Sequence, residues 1–130
     1  MTEAVIVATA RSPIGRANKG SLVDLRPDDM SAQILKALME KAPQVQASDV
    51  NDLMWGIGQP AGEGGFNIAR VISILAGFED IPGVTVNRYC SSSLQTIRMA
   101  FHAIKAGEGD CFIAGGVETV SRYMSGASDS

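Results

Sequence analysis

The sequence predicts an α/β domain in which strands and helices alternate, βαβαβαβ, around a parallel sheet. Short β-branched runs alternate with longer stretches of helical period along the chain. Residues 5–8 (Val-Ile-Val-Ala) form a continuous apolar run, as a strand covered on both faces does. Prolines and glycines punctuate the changes of period, with Pro27 and Pro43 bracketing one helix and Gly77 and Gly107 closing two others. Strand, helix and strand in repeated succession imply right-handed crossovers, with helices on both faces of the sheet.

Residues 5–8 make the first strand, and residues 9–26, with Pro13, Gly15 and Gly20, a loop. A helix starts at Pro27, whose fixed φ suits the first helical position, and Asp28 and Asp29 favour its positive end. Met30, Ile34, Ala37, Leu38 and Lys41 follow helical spacing, and Pro43 stops the run. Residues 52–57 supply a second strand centred on Leu53, Met54 and Trp55. A helix then opens near Asn67, carries Ile68, Val71, Ile72 and Leu75 on one side, and ends at Gly77, a residue suited to a left-handed cap. Val84, Thr85 and Val86 make a third strand, and Cys90 opens a helix with Leu94, Ile97, Phe101 and Ile104 on one side. After Gly107, residues 111–114 make a fourth strand.

A chain of 130 residues, 45% of them apolar, is enough for one domain with a core. A net charge of −3 with both signs interspersed leaves no electrostatic footprint for nucleic acid or an anionic membrane. No apolar run approaches membrane-spanning length, and the N-terminus enters a strand directly, without the regions of a signal peptide. Two cysteines on different elements suggest no disulfide framework and point to a reducing compartment, the cytoplasm. No metal site is expected.

The run from Gly56 through Ala61 matches a permissive dinucleotide fingerprint after a strand. Its context is wrong, because the next helix opens only near Asn67 and no helix N-terminus faces the first glycines. Arg11 and Arg16 in the first loop are candidates for a phosphate site, although solvated loop arginines are the commoner case. Cys90, at a strand-to-helix turn, has two readings. It is either a small residue in a tight turn or a nucleophile, since the positive end of a helix favours the thiolate form. His102 lies about 18 Å along the same helix, too far to serve as its base. Cys111, on a strand-like run, is most simply an apolar core residue. Glu118 invites an acid–base reading.

Asn87-Arg88-Tyr89-Cys90-Ser91-Ser92-Ser93-Leu94-Gln95 resembles the nucleophile signature of the thiolases, usually Asn-Arg-x-Cys-x-Ser-Gly-x-Gln, with Ser93 in place of the glycine. Three other stretches resemble the same family in the same order. These are the loop Ala10-Arg11-Ser12-Pro13-Ile14-Gly15-Arg16, the loop from Gly62 to Arg70, and Gly115-Gly116-Val117-Glu118-Thr119-Val120-Ser121, in which Val120 replaces a methionine. The resemblance implies that residues 1–122 form the first half-domain of a thiolase, with residues 123–130 the start of its loop domain. It makes Cys90 the nucleophile that attacks a 3-ketoacyl-CoA, releasing acetyl-CoA and passing the acyl group to CoA. It makes the Cys90 N–H one donor of an oxyanion hole and Glu118 structural. No permanently bound cofactor is implied, coenzyme A being a substrate.

The family's activating histidine, its second cysteine and most of its CoA-binding loops match nothing here, so the 130-residue piece alone is expected to be inactive. Partners implied are acyl-CoA and CoA, a second copy in a dimer or tetramer built partly on residues 84–87, and the C-terminal thiolase half. That half would cover the Cys90 helix, whose only polar stripe is Gln95, Arg98, His102 and Lys105. Acetoacetyl-CoA synthesis, a related ketoacyl synthase and a non-catalytic assembly module are the alternatives.

Overall fold

The computed structural model describes residues 2–123. The elements run α1 (Pro27–Lys41), β1 (Asp52–Gly56), α2 (Ile68–Leu75), β2 (Gly83–Val86), α3 (Ser92–Ala106), β3 (Phe112–Gly116) and a last turn of helix, α4 (Val120–Tyr123). Three parallel strands form one sheet in the order β2-β1-β3. Trp55 lies opposite Thr85 on one side and Gly115 on the other, so all three strands end at the same level.

The α/β class and the parallel sheet are as expected, but the first of the four expected strands does not form. Residues 2–16 contain no strand, and Val5, Ile6 and Val7 are 72–80% exposed. A strand needs a ladder partner as well as β-branched residues, and neither outer edge of this sheet takes the run up. Two lysines hold the segment, Lys105 Nζ donating to the Thr2 carbonyl at 2.9 Å and Lys41 Nζ to the Thr9 carbonyl at 2.7 Å.

The chain passes from β1 to β2 in one direction and from β2 back past β1 to β3, so two crossovers of one hand place α2 and α3 on opposite faces. On the first face, Leu53, Trp55 and Ile57 pack with Ile68, Ala69 and Ile72 of α2, and Ala32 and Leu35 of α1 lie behind them. α1 buries Asp28, Ser31, Ala32 and Leu35 most deeply; of the expected row, Ile34 and Leu38 pack half-buried against the core, whereas Ala37 and Lys41 face solvent. Two satisfied polar groups widen the buried side to include Ser31 and Asp28. Ser31 Oγ accepts the buried Trp55 Nε1–H at 3.1 Å, and Asp28 takes a two-pronged hydrogen bond from Arg26 at 3.0 and 2.8 Å. Leu75 of α2 is likewise outside the core, at 45% exposure.

On the second face α3 lies very close to the strands. It buries small side chains, Ser92, Thr96 and Ala103, and Thr96 Oγ1 donates to the Gly115 carbonyl at 3.2 Å. A Cβ on Gly56 would stand 2.7 Å from the Ser92 carbonyl carbon, and one on Gly116 would overlap the Ser93 hydroxyl. The larger side chains of the expected apolar row point the other way, with Leu94 69%, Ile97 49% and Phe101 46% exposed. Both long crossover helices end as expected, on glycines in the left-handed region. The Phe78 and Glu108 N–H groups reach back to the Ser73 and Ala103 carbonyls at 2.8 and 3.0 Å, which closes each last turn.

A buried ion cluster ties the loops beneath α1. Glu63, its side chain 4% exposed, accepts from both Arg122 Nε and Nη2, and Arg26 Nη1 approaches it at 3.2 Å. Burial pushes the Asp28 carboxyl up, but hydrogen bonds from Arg26 and the Asp29 N–H outweigh this and hold it below the ordinary carboxylate range. A carboxyl whose folded pKa lies below its unfolded value stabilises the fold above the unfolded value. That contribution is lost as pH falls through the folded one. Asp52, which burial pushes up, acts with the opposite sign. Asp28→Asn is therefore expected to cost about 1–2 kcal/mol at neutral pH, with half-exposed Arg26 limiting the loss. The difference from the unaltered protein should close below about pH 4 in thermal melts, and a gap that widens with acid would refute the assignment.

Candidate active site

Cys90 stands where all three strands end. It lies in a single 3₁₀ turn, Tyr89–Ser91, that runs directly into α3, so it precedes the α-helix proper instead of opening it. The thiol-bearing residue is exposed. Tyr89, immediately before it, has a φ of 48°, in the left-handed region that a bulky side chain seldom occupies. Such a conformation costs about 1–3 kcal/mol and persists only where the surroundings fix it. Here Asn87 Oδ1 accepts the Tyr89 N–H at 2.9 Å, and Ser92 Oγ donates to the Tyr89 carbonyl at 2.7 Å. The same Ser92 hydroxyl accepts the Arg88 N–H at 2.8 Å, and Arg88 Nη1 donates to Gln95 Oε1 at 2.7 Å. Asn87, Arg88, Ser92 and Gln95 of the signature thus shape one turn, with Cys90 at its open side.

The other residues singled out in the sequence fall elsewhere. Cys111 is partly buried against the core, where burial, followed by the charge of Asp49, pushes its thiol up. His102 is exposed on α3 and lies against Phe101, their ring centroids 5.5 Å apart. Arg11 and Arg16 are both exposed, and the Arg16 carbonyl closes a turn with the Gly20 N–H at 2.7 Å. The Gly56–Ala61 stretch continues the end of β1, with the Ile57 N–H donating to the Val86 carbonyl at 3.0 Å. The chain then makes a 3₁₀ turn, Gly62–Gly64, whose Glu63 carboxylate pairs with two arginines. Asn67 does open α2, but in the left-handed region, and its side chain serves β2 by donating to the Gly83 carbonyl and accepting from the Thr85 hydroxyl.

Glu118 comes to the same end of the sheet as Cys90, its Oε1 accepting the Gly58 N–H at 2.6 Å. Sequence reasoning missed this bond, the strained Tyr89 and the Glu63 cluster. Of these only the Tyr89 turn has a local signal, an asparagine two residues ahead whose side chain can cap the turn. One concavity of about 330 Å³ lies between residues 12–17 and 116–121, and a second of about 460 Å³ lies between the end of α1 and Phe78. Cys90 lines neither. Among the described residues no group of three or more His, Cys, Asp or Glu side chains could hold a metal ion, and no helix is long and apolar enough to cross a membrane.

Comparison with known proteins bears on the family and the fold. Residues 4–129 match the family model described as thiolase, N-terminal domain. The chain is 47% identical over 119 residues to the 3-ketoacyl-CoA thiolase of Shewanella frigidimarina, covering 91% of this chain and 31% of that protein. It is 45% identical over 131 residues to the beta-ketoadipyl-CoA thiolase of Pseudomonas knackmussii, covering 98% of this chain and 32% of that one. The crystal structure of the Bacillus anthracis acetyl-CoA acetyltransferase superposes with a TM-score of 0.83 at 31% identity, over 90% of this chain and 29% of that one. The chain therefore spans about a third of the length of these relatives. With a three-stranded parallel sheet, a cysteine turn at its strand ends and a family match over nearly its whole length, the chain belongs to the thiolase family, as an N-terminal domain.

Proposed function

We propose that this chain supplies the nucleophile of a thiolase that cleaves 3-ketoacyl-CoA, and that Cys90 is that nucleophile. The observation that carries the reading is the exposed Cys90 in a turn whose shape is fixed by Asn87, Arg88, Ser92 and Gln95. The thiolate attacks the 3-keto carbon, and the bond between C2 and C3 breaks. The electron pair stays on C2 of the departing acetyl-CoA, which takes up a proton. CoA thiolate then attacks the thioester on Cys90, releasing the shortened acyl-CoA and restoring the thiolate, a two-step course with ping-pong kinetics. The Cys90 N–H serves as one oxyanion donor. The base that activates the thiol and the acid that protonates C2 come from the C-terminal part of the complete protein. That part also covers the Leu94, Ile97 and Phe101 face of α3. Residues 1–122 form the half-domain; of the loop-domain start at 123–130, residues 124–130 lie outside the described residues. Coenzyme A is a substrate and not a resident cofactor, and the compartment is the cytoplasm.

The test is intact mass and peptide mapping of the complete protein after incubation with a 3-ketoacyl-CoA in the absence of free CoA. An acyl group on Cys90 is expected. An adduct on Cys111, or none on either cysteine, would overturn the reading. The name of the Bacillus anthracis relative favours acetoacetyl-CoA formation as the second reading. The relative rates with acetoacetyl-CoA and longer 3-ketoacyl-CoA substrates decide between them.

We propose further that two copies pair through β2. This strand is an edge of the sheet, and its residues are all partly buried. An open edge invites pairing with a second copy across a two-fold axis, which also removes an aggregation hazard. Light scattering of the complete protein should give at least twice the chain mass, and the neighbour of Thr85 in a crystal should be its symmetry mate. A monomer at micromolar concentration would refute this.

A further inference from the structure

The strand ends carry one hydrogen bond that the sheet itself does not require. The β1–β3 ladder runs one step past β3, with the Val117 N–H donating to the Gly56 carbonyl at 2.9 Å. In a continued parallel ladder the Gly58 N–H would go to the Val117 carbonyl. It donates instead to Glu118 Oε1, at 2.6 Å. Gly58 is buried, so its N–H depends on a protein acceptor. The same glycine abuts the turn that carries Cys90. A Cβ at position 58 would stand 3.3 Å from Glu118 Oε1, 3.5 Å from the Tyr89 Cα and 3.6 Å from the Tyr89 carbonyl carbon. Gly58 therefore lies beside both the Glu118 carboxylate and the peptide that joins Tyr89 to Cys90, with about a methyl group's room between it and Tyr89. That peptide follows a residue in the left-handed region and needs support from outside. Asn87 and Ser92 hold Tyr89 from within the turn, and Gly58 is its neighbour on the sheet side.

Resting on the reading of Cys90 as the nucleophile, we infer that Glu118 is a positioning residue for it. Its carboxylate fixes Gly58, and Gly58 fixes the Tyr89–Cys90 peptide at the strand ends. What the position requires is a hydrogen-bond acceptor of glutamate length. A glutamine carbonyl meets that requirement, an aspartate is one methylene short, and an alanine leaves the buried Gly58 N–H unpaired. Since displacement of reacting groups by about 1 Å costs about 10²-fold in rate, the link from Glu118 to Cys90 should register in kcat more than in KM.

The experiment compares Glu118→Ala, Glu118→Gln and Glu118→Asp in the complete protein. It reads the iodoacetamide alkylation rate of Cys90, with Cys111 in the same sample as reference, alongside kcat and KM for thiolysis and the thermal midpoint. For Glu118→Ala the expected result is a change of about 5-fold or more in the ratio of Cys90 to Cys111 alkylation, and a fall of about 10–100-fold in kcat with little change in KM. Glu118→Gln should stay within about 3-fold of the unaltered protein on each measure, because the acceptor is retained. If Glu118→Ala does not fold, the contrast between Glu118→Asp, expected to be defective, and Glu118→Gln carries the test. An unchanged alkylation ratio and kcat in a folded Glu118→Ala protein overturns the inference. So does a glutamine variant as defective as alanine, since that would make the charge or the proton the essential feature. The alkylation ratio does not depend on turnover. If the unaltered protein forms no acyl-Cys90, the functional reading fails while the ratio still decides the role of Glu118.

Discussion

Replacing Cys90 with serine in the complete protein is expected to lower thiolysis by about 10⁴-fold or more while leaving stability within about 0.5 kcal/mol. The two halves of this expectation have different origins. Cys90 is exposed and touches no part of the core, so removing its sulfur forfeits little packing. Thiolysis by this route passes through a thioester on that sulfur. A serine hydroxyl is a far weaker nucleophile and forms an oxygen ester that CoA cleaves less readily. Cys111→Ser should behave in the opposite way. Cys111 packs against the core, so exchanging its sulfur for a hydroxyl should cost about 1 kcal/mol with kcat within a few-fold. Steady-state rates and thermal melts on the two variants separate the roles. A Cys90 variant that keeps a tenth of the rate would remove Cys90 from the chemistry, and a folded Cys111 variant that loses it would overturn the packing role of Cys111.

The parts of this fold that were legible in the sequence are those fixed by local backbone chemistry. Pro27 starts α1 because its ring presets the φ of a first helical residue, and Gly77 and Gly107 end their helices because each last turn needs a left-handed residue. What was not legible depends on partners. Residues 5–8 have the composition of a buried strand, but pairing makes a strand, and no ladder reaches them. Ile34 and Leu38 of α1 pack against the core as their spacing suggests, but the burial of Ser31 and Asp28 has no such signal, because they look like solvent residues until Trp55 and Arg26 are set beside them. The apolar row of α3 was read correctly as a row, yet it lies on the side away from the sheet. The sheet face instead takes serine, threonine and alanine, because Gly56 and Gly116 bring the helix too close for anything larger. At the site, the Cys90 turn could be read from its wording. The bond from Glu118 to Gly58 joins residues sixty positions apart and had no sequence signal.

That close approach of α3 gives the second large effect. Gly56→Ala is expected to cost about 1–3 kcal/mol in stability and about 10–100-fold in kcat, with both losses arising from one displacement. A Cβ on Gly56 would lie 2.7 Å from the Ser92 carbonyl carbon, 2.8 Å from its Cβ and 2.9 Å from its carbonyl oxygen. Two of these three atoms are backbone, so no rotamer change relieves the overlap, and either the first turn of α3 or the end of β1 must move. Ser92 is also the residue whose hydroxyl bridges the Arg88 N–H and the Tyr89 carbonyl, so moving it loosens the turn that holds Cys90. Gly64→Ala provides the contrast. Its added Cβ would also meet an atom at 2.7 Å, but that atom is the Cδ1 tip of Ile57, which can turn aside within the core. Gly64→Ala should therefore cost less stability than Gly56→Ala and leave kcat within about 2-fold, because no part of the Cys90 turn rests on it. Melts, kcat and the Cys90 alkylation rate measured on both variants test the difference. Equal losses of rate in the two would mean that the contact between α3 and Gly56 stabilises the domain without placing the nucleophile.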